Sequence, residues 1–346
     1  MPTRSPQGPD AGAARLQTLV DRFTRQRIAV IGDLMADEFI YGRVERVSRE
    51  APVLILRYDT TIVVPGGAGN AASNVAVLGG RVRLAGLAGR DEAGRRLLAG
   101  MHARISRAGV LSPPGYGTPV KTRILAGGVH SAKQQVVRID RIPAGRVDGA
   151  LRRRFVERAR ALAAGADAVL VSDYGSGLVD PPLVDRLRSA LWKRGERIPP
   201  ILVDSRYAVK DFRGVTMSTP NESEVEHILG VRIGDDAAAL ERAGRAMLRR
   251  TGMGALVITR GSRGMALFER GRPTEHLPIY GSDEIADVTG AGDTVIATIA
   301  LALAAGGSFV DAVRLANYAG GLVVMKRGTA TVTPEELRAA IRSAIV

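Results

Sequence analysis

The sequence predicts an α/β protein: a doubly wound, mainly parallel sheet with helices on both faces, joined to a small antiparallel β lid. Three observations carry that expectation. Beyond residue 147, short β-branched runs alternate with amphipathic stretches at the spacing of strand–helix–strand units. Arg27–Gly32 (RIAVIG) is a continuous apolar run closed by glycine, the pattern of a strand buried on both faces. Residues 39–65 and 117–140 instead contain pieces that alternate apolar and polar side chains, as half-exposed antiparallel strands do.

Taken in order, a Pro-, Gly- and Ala-rich flexible tail (1–15) precedes one domain over 16–346, and it lacks the apolar core of a signal peptide. After the first strand and the first lid segment, Pro65-Gly-Gly-Ala-Gly-Asn70 opens a helix over 71–78. A strand follows at 82–87, then a helix expected to run to residue 107. Strands at 119–126 and 134–140 complete the lid, with 127–133 (GGVHSAK) as their hairpin tip. The regular half reads helix 150–164, strand 168–172, helix 182–193 and strands 200–204 and 215–218. Helices 222–229 and 237–250 and strand 255–259 come next, and helices from residues 293, 309 and 334 close the chain.

The totals narrow the function classes. The chain of 346 residues has no cysteine, which excludes disulfides, thiolate metal sites and cysteine nucleophiles. Its four histidines, His102, His130, His227 and His276, share no metal-ligand spacing. A formal charge of +14 points to anionic ligands. With 4% aromatic residues and scattered arginines there is no stacking platform for nucleic acid, and small anionic substrates explain the charge more simply. The longest apolar run, residues 295–305, is well short of the ~20 residues a membrane span needs. A cytoplasmic protein without nucleic-acid or membrane partners is expected.

The chemistry concentrates in residues 287–306, DVTGAGDTVIATIALALAAG. Gly290 and Gly292 remove side chains where backbone amides must approach a ligand. The first amides of the following helix lack internal partners and form an anion site. Asp293 sits in that first turn. Amides that stabilise a moving phosphoryl group, beside a carboxylate that takes the acceptor's proton, suit phosphoryl transfer. Asp293 and Thr294 would equally cap a core helix. The helix terminus favours ionised Asp293, a weak base, while a nearby triphosphate pushes the other way. Asp33 and Asp37 follow the first strand, where open α/β sheets gather ligands. Asn221 and Glu224 have the spacing of a capping box.

DVTGAGD and the earlier PGGAGN, in that order along the chain, resemble the paired signatures of the ribokinase-like (PfkB) sugar kinases. The resemblance implies Asp293 as catalytic base and Gly290, Ala291 and Gly292 as anion hole. It implies that Asp37, five residues after Gly32, holds sugar hydroxyls, with Asp33, Gly66, Gly67 and Asn70 on the same side. Asn221 and Glu224 would organise Mg2+ through water near the phosphates of ATP. Thr259, Gly261 and Gly264 resemble the nucleotide-binding turn, with Arg260 and Arg263 as candidate phosphate contacts, and Asn317 and Gly320 (with Gly321) the adenine pocket. K+ is a further candidate ion.

Longer stretches, among them GDLMADEFIYG (32–42), VSREAPV (47–53) and KTRILAGGVHSAKQQVVRID (121–140), look like the heptose 7-phosphate kinases of that family. The reaction so implied moves the γ-phosphoryl of ATP to the anomeric hydroxyl of D-glycero-D-manno-heptose 7-phosphate, for nucleotide-activated heptose. Lys121, Arg123 and Arg138, with Lys133, Arg43 and Arg46, are candidates to clamp the sugar's own phosphate. The chain departs from the pattern at Arg49, at Ser176 and at the 127–133 tip. It carries no H-x-G-H motif and reads as a stand-alone kinase, with a homodimer formed through the lid. A kinase for another sugar or sugar phosphate, or a non-catalytic sugar-phosphate sensor, are the alternatives.

Overall fold

The main sheet grows from aliphatic runs too short for helices. In the computed structural model, which describes residues 9–127, 133–142, 147–192, 198–281, 287–326 and 328–344, the first such run is β1 (Arg27–Gly32). Its side chains alternate between two cores. Ile28 and Val30 enter one, Ala29 and Ile31 the other, as a strand covered on both faces requires. Around it pair β4 (Arg81–Leu87), β5 (Ile105–Leu111), β8 (Ala168–Asp173), β9 (Ile201–Ser205), β10 (Met217–Ser218) and β11 (Ala255–Thr259), all parallel. Two antiparallel edge strands, β12 (Met265–Glu269) and β13 (Glu275–Leu277), extend the order to β13-β12-β11-β10-β9-β8-β1-β4-β5.

Helices α1 (Pro9–Arg22), α2 (Ala68–Val77), α3 (Glu92–Ala99), α8 (Ala291–Ala304), α9 (Phe309–Val324) and α10 (Pro334–Ser343) pack on one face. On the other lie α4 (Gly149–Ala163), α5 (Pro181–Leu191), α6 (Glu222–Leu229) and α7 (Ala237–Thr251). Helix α8 is apolar all round and buried from Asp293 to Ala302, so its start is held rigidly against the sheet. Among the described residues, no helix is long and apolar enough to cross a membrane.

The lid is a second sheet of β2 (Leu34–Val47), β3 (Leu54–Gly67), β6 (Val120–Gly127) and β7 (Gln134–Arg141), in order β3-β2-β6-β7. Its hairpins are antiparallel, and the β2–β6 seam, which joins segments far apart in the chain, runs parallel. Strand β2 leaves β1 after a single residue, which carries Asp37 from sheet to lid. Every residue of β7 is exposed. Arg49 lies exposed in the turn between β2 and β3, and most of the expected 127–133 tip lies outside the described residues.

Several expectations are corrected. Of the 1–15 segment read as a loose tail, Pro9 onward is α1, because Ala13, Leu16, Leu19 and Val20 form a stripe at helical spacing that packs into the core. The helix expected to reach residue 107 stops at Ala99, before Gly100, and 105–111 becomes edge strand β5. Strands β12 and β13 were not expected. Gly264, at φ +77, reverses the chain there into an antiparallel pair that returns along β11.

Candidate active site

The carboxyl ends of the parallel strands and the inner face of the lid enclose a cleft of about 670 Å3. At its centre stands the first turn of α8. Gly290 caps the helix at φ +80, a left-handed conformation that glycine adopts without strain. The Ala291 amide turns back to Val288 O at 3.2 Å, and the Thr294 amide makes the first intrahelical bond, to Gly290 O. The Gly292 and Asp293 amides therefore remain as the orphan donors of the helix start. A side chain on Gly292 would meet no protein atom within 4 Å, so this glycine keeps the approach to those amides open. Ala291 lines the same wall.

Asp293 is 4% exposed. Burial, reinforced by Asp37, pushes its carboxyl up to about 7, against hydrogen bonds from Asn70 and Tyr174 and the charge of Lys121. The Asn70 Nδ2 donates to its Oδ2 at 2.6 Å, and the Tyr174 hydroxyl stands 3.4 and 3.5 Å from its two oxygens. A carboxyl raised in this way is a stronger base than an ordinary aspartate.

On the lid side, Asp37 (β2) accepts from Arg123 Nη1 (β6) at 2.6 Å, and both side chains are nearly buried. A Cβ on Gly66 would lie 2.3 Å from Asp37 Oδ2, so that glycine makes room for the carboxylate. Gly67, at φ +58, lines the cleft beside Tyr174. Lys121 lies 4.8 Å over the Tyr174 ring, its ammonium pushed down in pKa by burial and by Arg206.

Several candidate cations are already committed. Arg138 lines the cleft but pairs with Asp140 at 2.9 Å, while Lys133 and Arg43 both pair with Asp59. Arg260 and Arg263, read as phosphate contacts, instead grip Glu222 at 2.7 and 2.6 Å and line no part of the cleft.

Asp33 departs from its expected place as a ligand contact. Its carboxylate accepts the Tyr174 amide at 2.8 Å, the Ser176 amide at 3.2 Å and the Ser176 hydroxyl. It clasps the turn after β8 and does not line the cleft. Ser176 is thus the partner of a buried acid whose pKa burial raises. Asn70 differs too. It is 2% exposed and bonds to Asp293, so its polar head faces the acid and not the open cleft.

On the far side, Asn221 and Glu224 form a complete capping box, with both reciprocal bonds at 2.9 Å, and both also line the cleft. Burial raises the Glu224 carboxyl. Thr259 bridges to Asn221, and Gly261 and Gly264 turn the chain at positive φ along the wall. Asn317 donates to Pro278 O at 2.7 Å, and Gly320 packs against Val295 and Met265. On Gly321 a Cβ would fall 2.0 Å from Tyr280 O, so this position serves packing as well as shaping the pocket.

Sequence reasoning missed Asp204 and Arg206. Burial, then Asp293, Glu224 and Asp173, push the Asp204 carboxyl up to about 8. Its position at the end of a buried strand, VD in ILVDS, was the signal available. Arg206 follows on the exposed loop and lines the cleft, as Lys121 does.

An orphan-amide cradle beside a buried carboxyl, in a cleft closed on one side by a β lid, is the arrangement of a phosphotransferase acting on a sugar hydroxyl. The chain belongs to the pfkB family of carbohydrate kinases, whose profile matches residues 25–336. It is 42% identical over 312 residues to the "Bifunctional protein HldE" of Geobacter sulfurreducens, covering 89% of this chain and 61% of that protein. It is 41% identical over 329 residues to the protein of that name from Pseudomonas aeruginosa, covering 93% and 65%. The chain therefore spans somewhat less than two thirds of these relatives. Arabidopsis thaliana ribokinase, solved with ribose and ATP, superposes with a TM-score of 0.69 at 18% identity, covering 92% of this chain and 98% of that one. Escherichia coli phosphofructokinase-2, solved with potassium, gives 0.72 at 17% identity, covering 92% and 99%. At these identities the two structures establish the ribokinase-like fold.

Proposed function

We propose that this chain transfers the γ-phosphoryl of ATP to the anomeric hydroxyl of D-glycero-D-manno-heptose 7-phosphate, giving the 1,7-bisphosphate. The observation that carries this reading is Asp293, a buried carboxyl near pKa 7 between the lid-side cleft and the orphan amides of α8. In this reading Asp37 holds sugar hydroxyls, and Asp293 removes the proton of the attacking one. The Gly292 and Asp293 amides, with Ala291 and Gly290 shaping the turn, stabilise charge on the phosphoryl in flight. Lys121, Arg138 and Arg206 face the acceptor's own phosphate, with Arg123 reserved for Asp37. The adenosine end lies along Thr259, Gly261, Gly264, Asn317 and Gly320.

Magnesium fits the residues present. Asn221 and Glu224 offer hard oxygen donors on the cleft wall, and among the described residues no three acidic or imidazole side chains converge as a full metal shell. They would hold an ion that keeps much of its water, and the ion would neutralise phosphate charge. Potassium has a candidate place beside the cradle, where the Thr329 hydroxyl is buried with no described partner and its methyl group stands by Gly290. ATP as donor supports a cytoplasmic enzyme.

The heptose assignment is supported by the matching stretches of sequence and by relatives at about 42% identity over most of the chain. A second reading, a kinase for another sugar or sugar phosphate, is favoured by one observation: four lid cations, Arg43, Arg123, Lys133 and Arg138, are already paired with acids. Phosphorus NMR of the product from ATP and heptose 7-phosphate separates the two. A new anomeric phosphate signal is expected. Turnover of a neutral hexose or nucleoside but not of heptose 7-phosphate would replace this reading, and tight sugar binding with no ADP release would support a sensor.

A homodimer through the lid also belongs to this proposal, because Val136, Val137 and Ile139 of β7 are 45–48% exposed and a second copy would cover them. Sedimentation is expected to give twice the 36.6 kDa chain mass, and a monomer at micromolar concentration would contradict it.

A further inference from the structure

The side-chain amide of Asn70 has two ways to face Asp293. One presents an N–H, the other an oxygen that would repel the carboxylate. Three buried contacts decide between them. The Asn70 backbone carbonyl, which can only accept, takes a bond from Asn74 Nδ2 at 3.0 Å. That sets the Asn74 amide, so the same Nδ2 reaches Asn70 Oδ1 at 3.1 Å while Asn74 Oδ1 points to the Thr294 hydroxyl, which donates at 2.8 Å. With its oxygen so engaged, Asn70 turns Nδ2 to Asp293 Oδ2 at 2.6 Å. Asn74 and Thr294 are fully buried, so water does not compete for these groups. Gly290 completes the arrangement, because a Cβ there would lie 2.5 Å from Asn70 Nδ2 and displace it.

We propose that Asn70, Asn74 and Thr294 are positioning residues, a directional hydrogen-bond chain from α8 through α2 that presents one fixed N–H to Asp293 Oδ2 and leaves Oδ1, met among the described residues only by the Tyr174 hydroxyl at 3.4 Å, for the acceptor hydroxyl. The role rests on reading Asp293 as the proton acceptor. Thr294 directly follows Asp293 on α8, so the chain ties the acid's orientation to the backbone that carries the phosphate cradle. The bond favours the ionised carboxylate and opposes burial. The other groups facing Asp293 are Asp37 from β2 and Asp204 from β9, which disfavour ionisation, Lys121 from β6, which favours it, and Tyr174 at hydroxyl distance.

Thr294→Val keeps the shape of the side chain and removes the donor, Thr294→Ser restores it, and Asn70→Ala removes the last link. Two readouts are needed on the full chain: kcat and KM against pH with ATP and heptose 7-phosphate, and the side-chain 13C titration of Asp293, assigned by its loss in Asp293→Asn. For Asn70→Ala, kcat is expected to fall roughly tenfold to a hundredfold, with the ATP KM little changed. Both the acid limb of the rate profile and the 13C midpoint should move to higher pH. Thr294→Val should shift both in the same direction by less, and Thr294→Ser should return them toward wild type.

An unmoved 13C midpoint in both Asn70→Ala and Thr294→Val overturns the chain, whatever happens to the rate. Absence of wild-type turnover with heptose 7-phosphate would instead overturn that sugar as the acceptor, and the 13C titration would still decide the wiring.

Discussion

Asp293→Asn is expected to lower kcat at least about a hundredfold while ATP binding stays nearly unchanged. The amide cannot take the acceptor's proton, yet it leaves the Gly292 and Asp293 backbone donors where they are. The same substitution is expected to stabilise the protein at alkaline pH. Burial lifts the folded-state carboxyl to about 7, well above an unfolded aspartate near 3.9. A raised carboxyl favours folding fully below the unfolded pKa, and that contribution is lost as pH rises through the folded one. Ionised Asp293 therefore costs stability between about pH 4 and 7, and the whole cost is present above 7. Removing the charge should recover on the order of 1–3 kcal/mol at pH 8 and little at pH 4, since the coupled acid Asp204 absorbs part of the effect. Thermal melts at the two pH values check the sign, and calorimetry checks ATP binding. Retained turnover in Asp293→Asn would remove Asp293 from the reaction.

Asp37→Ala is expected to fail in two ways. Arg123 would be left with its side chain 11% exposed and its acid gone, a loss of about 3–5 kcal/mol in urea unfolding. The sugar KM should also rise at least about tenfold as a hydroxyl partner disappears. The double variant Asp37→Ala/Arg123→Met separates these effects. It removes the unpaired charge, so stability should return while the sugar KM stays high. If the double variant recovers both, Asp37 serves only the lid.

The wound half of the fold was legible because its strands are buried on both faces and its helices carry strong signals. Asn221, Thr333 and the Pro at 334 mark helix starts by local chemistry, and α6 lies where its pattern places it. Edge elements were harder to read. Among the described residues strand β5 has one neighbouring strand, β4, and its ISRAGVL pattern competes with a helical reading until Gly100 stops the helix before it. The parallel β2–β6 seam depends on pairing distant in sequence, which no local pattern encodes.

In the cleft, glycine positions and strand-end acids were visible as motifs, and the structure brings Asp37, Gly67, Lys121, Asn221, Glu224, Gly290 and Asp293 to one wall-to-wall site. Partner choice among side chains was not visible. Sequence could not say that Asn70 faces Asp293, that Asp33 holds Ser176, or that Arg260 and Arg263 meet Glu222, because each depends on tertiary contacts.

A crystal structure of the full chain with a non-hydrolysable ATP analogue, magnesium and heptose 7-phosphate tests the central claim most directly. The predicted result is a terminal phosphate on the Gly292 and Asp293 amides, with the anomeric hydroxyl within hydrogen-bonding distance of the Asp293 carboxylate. A terminal phosphate seated elsewhere, with lid closure unable to bring it to that carboxylate, would contradict it.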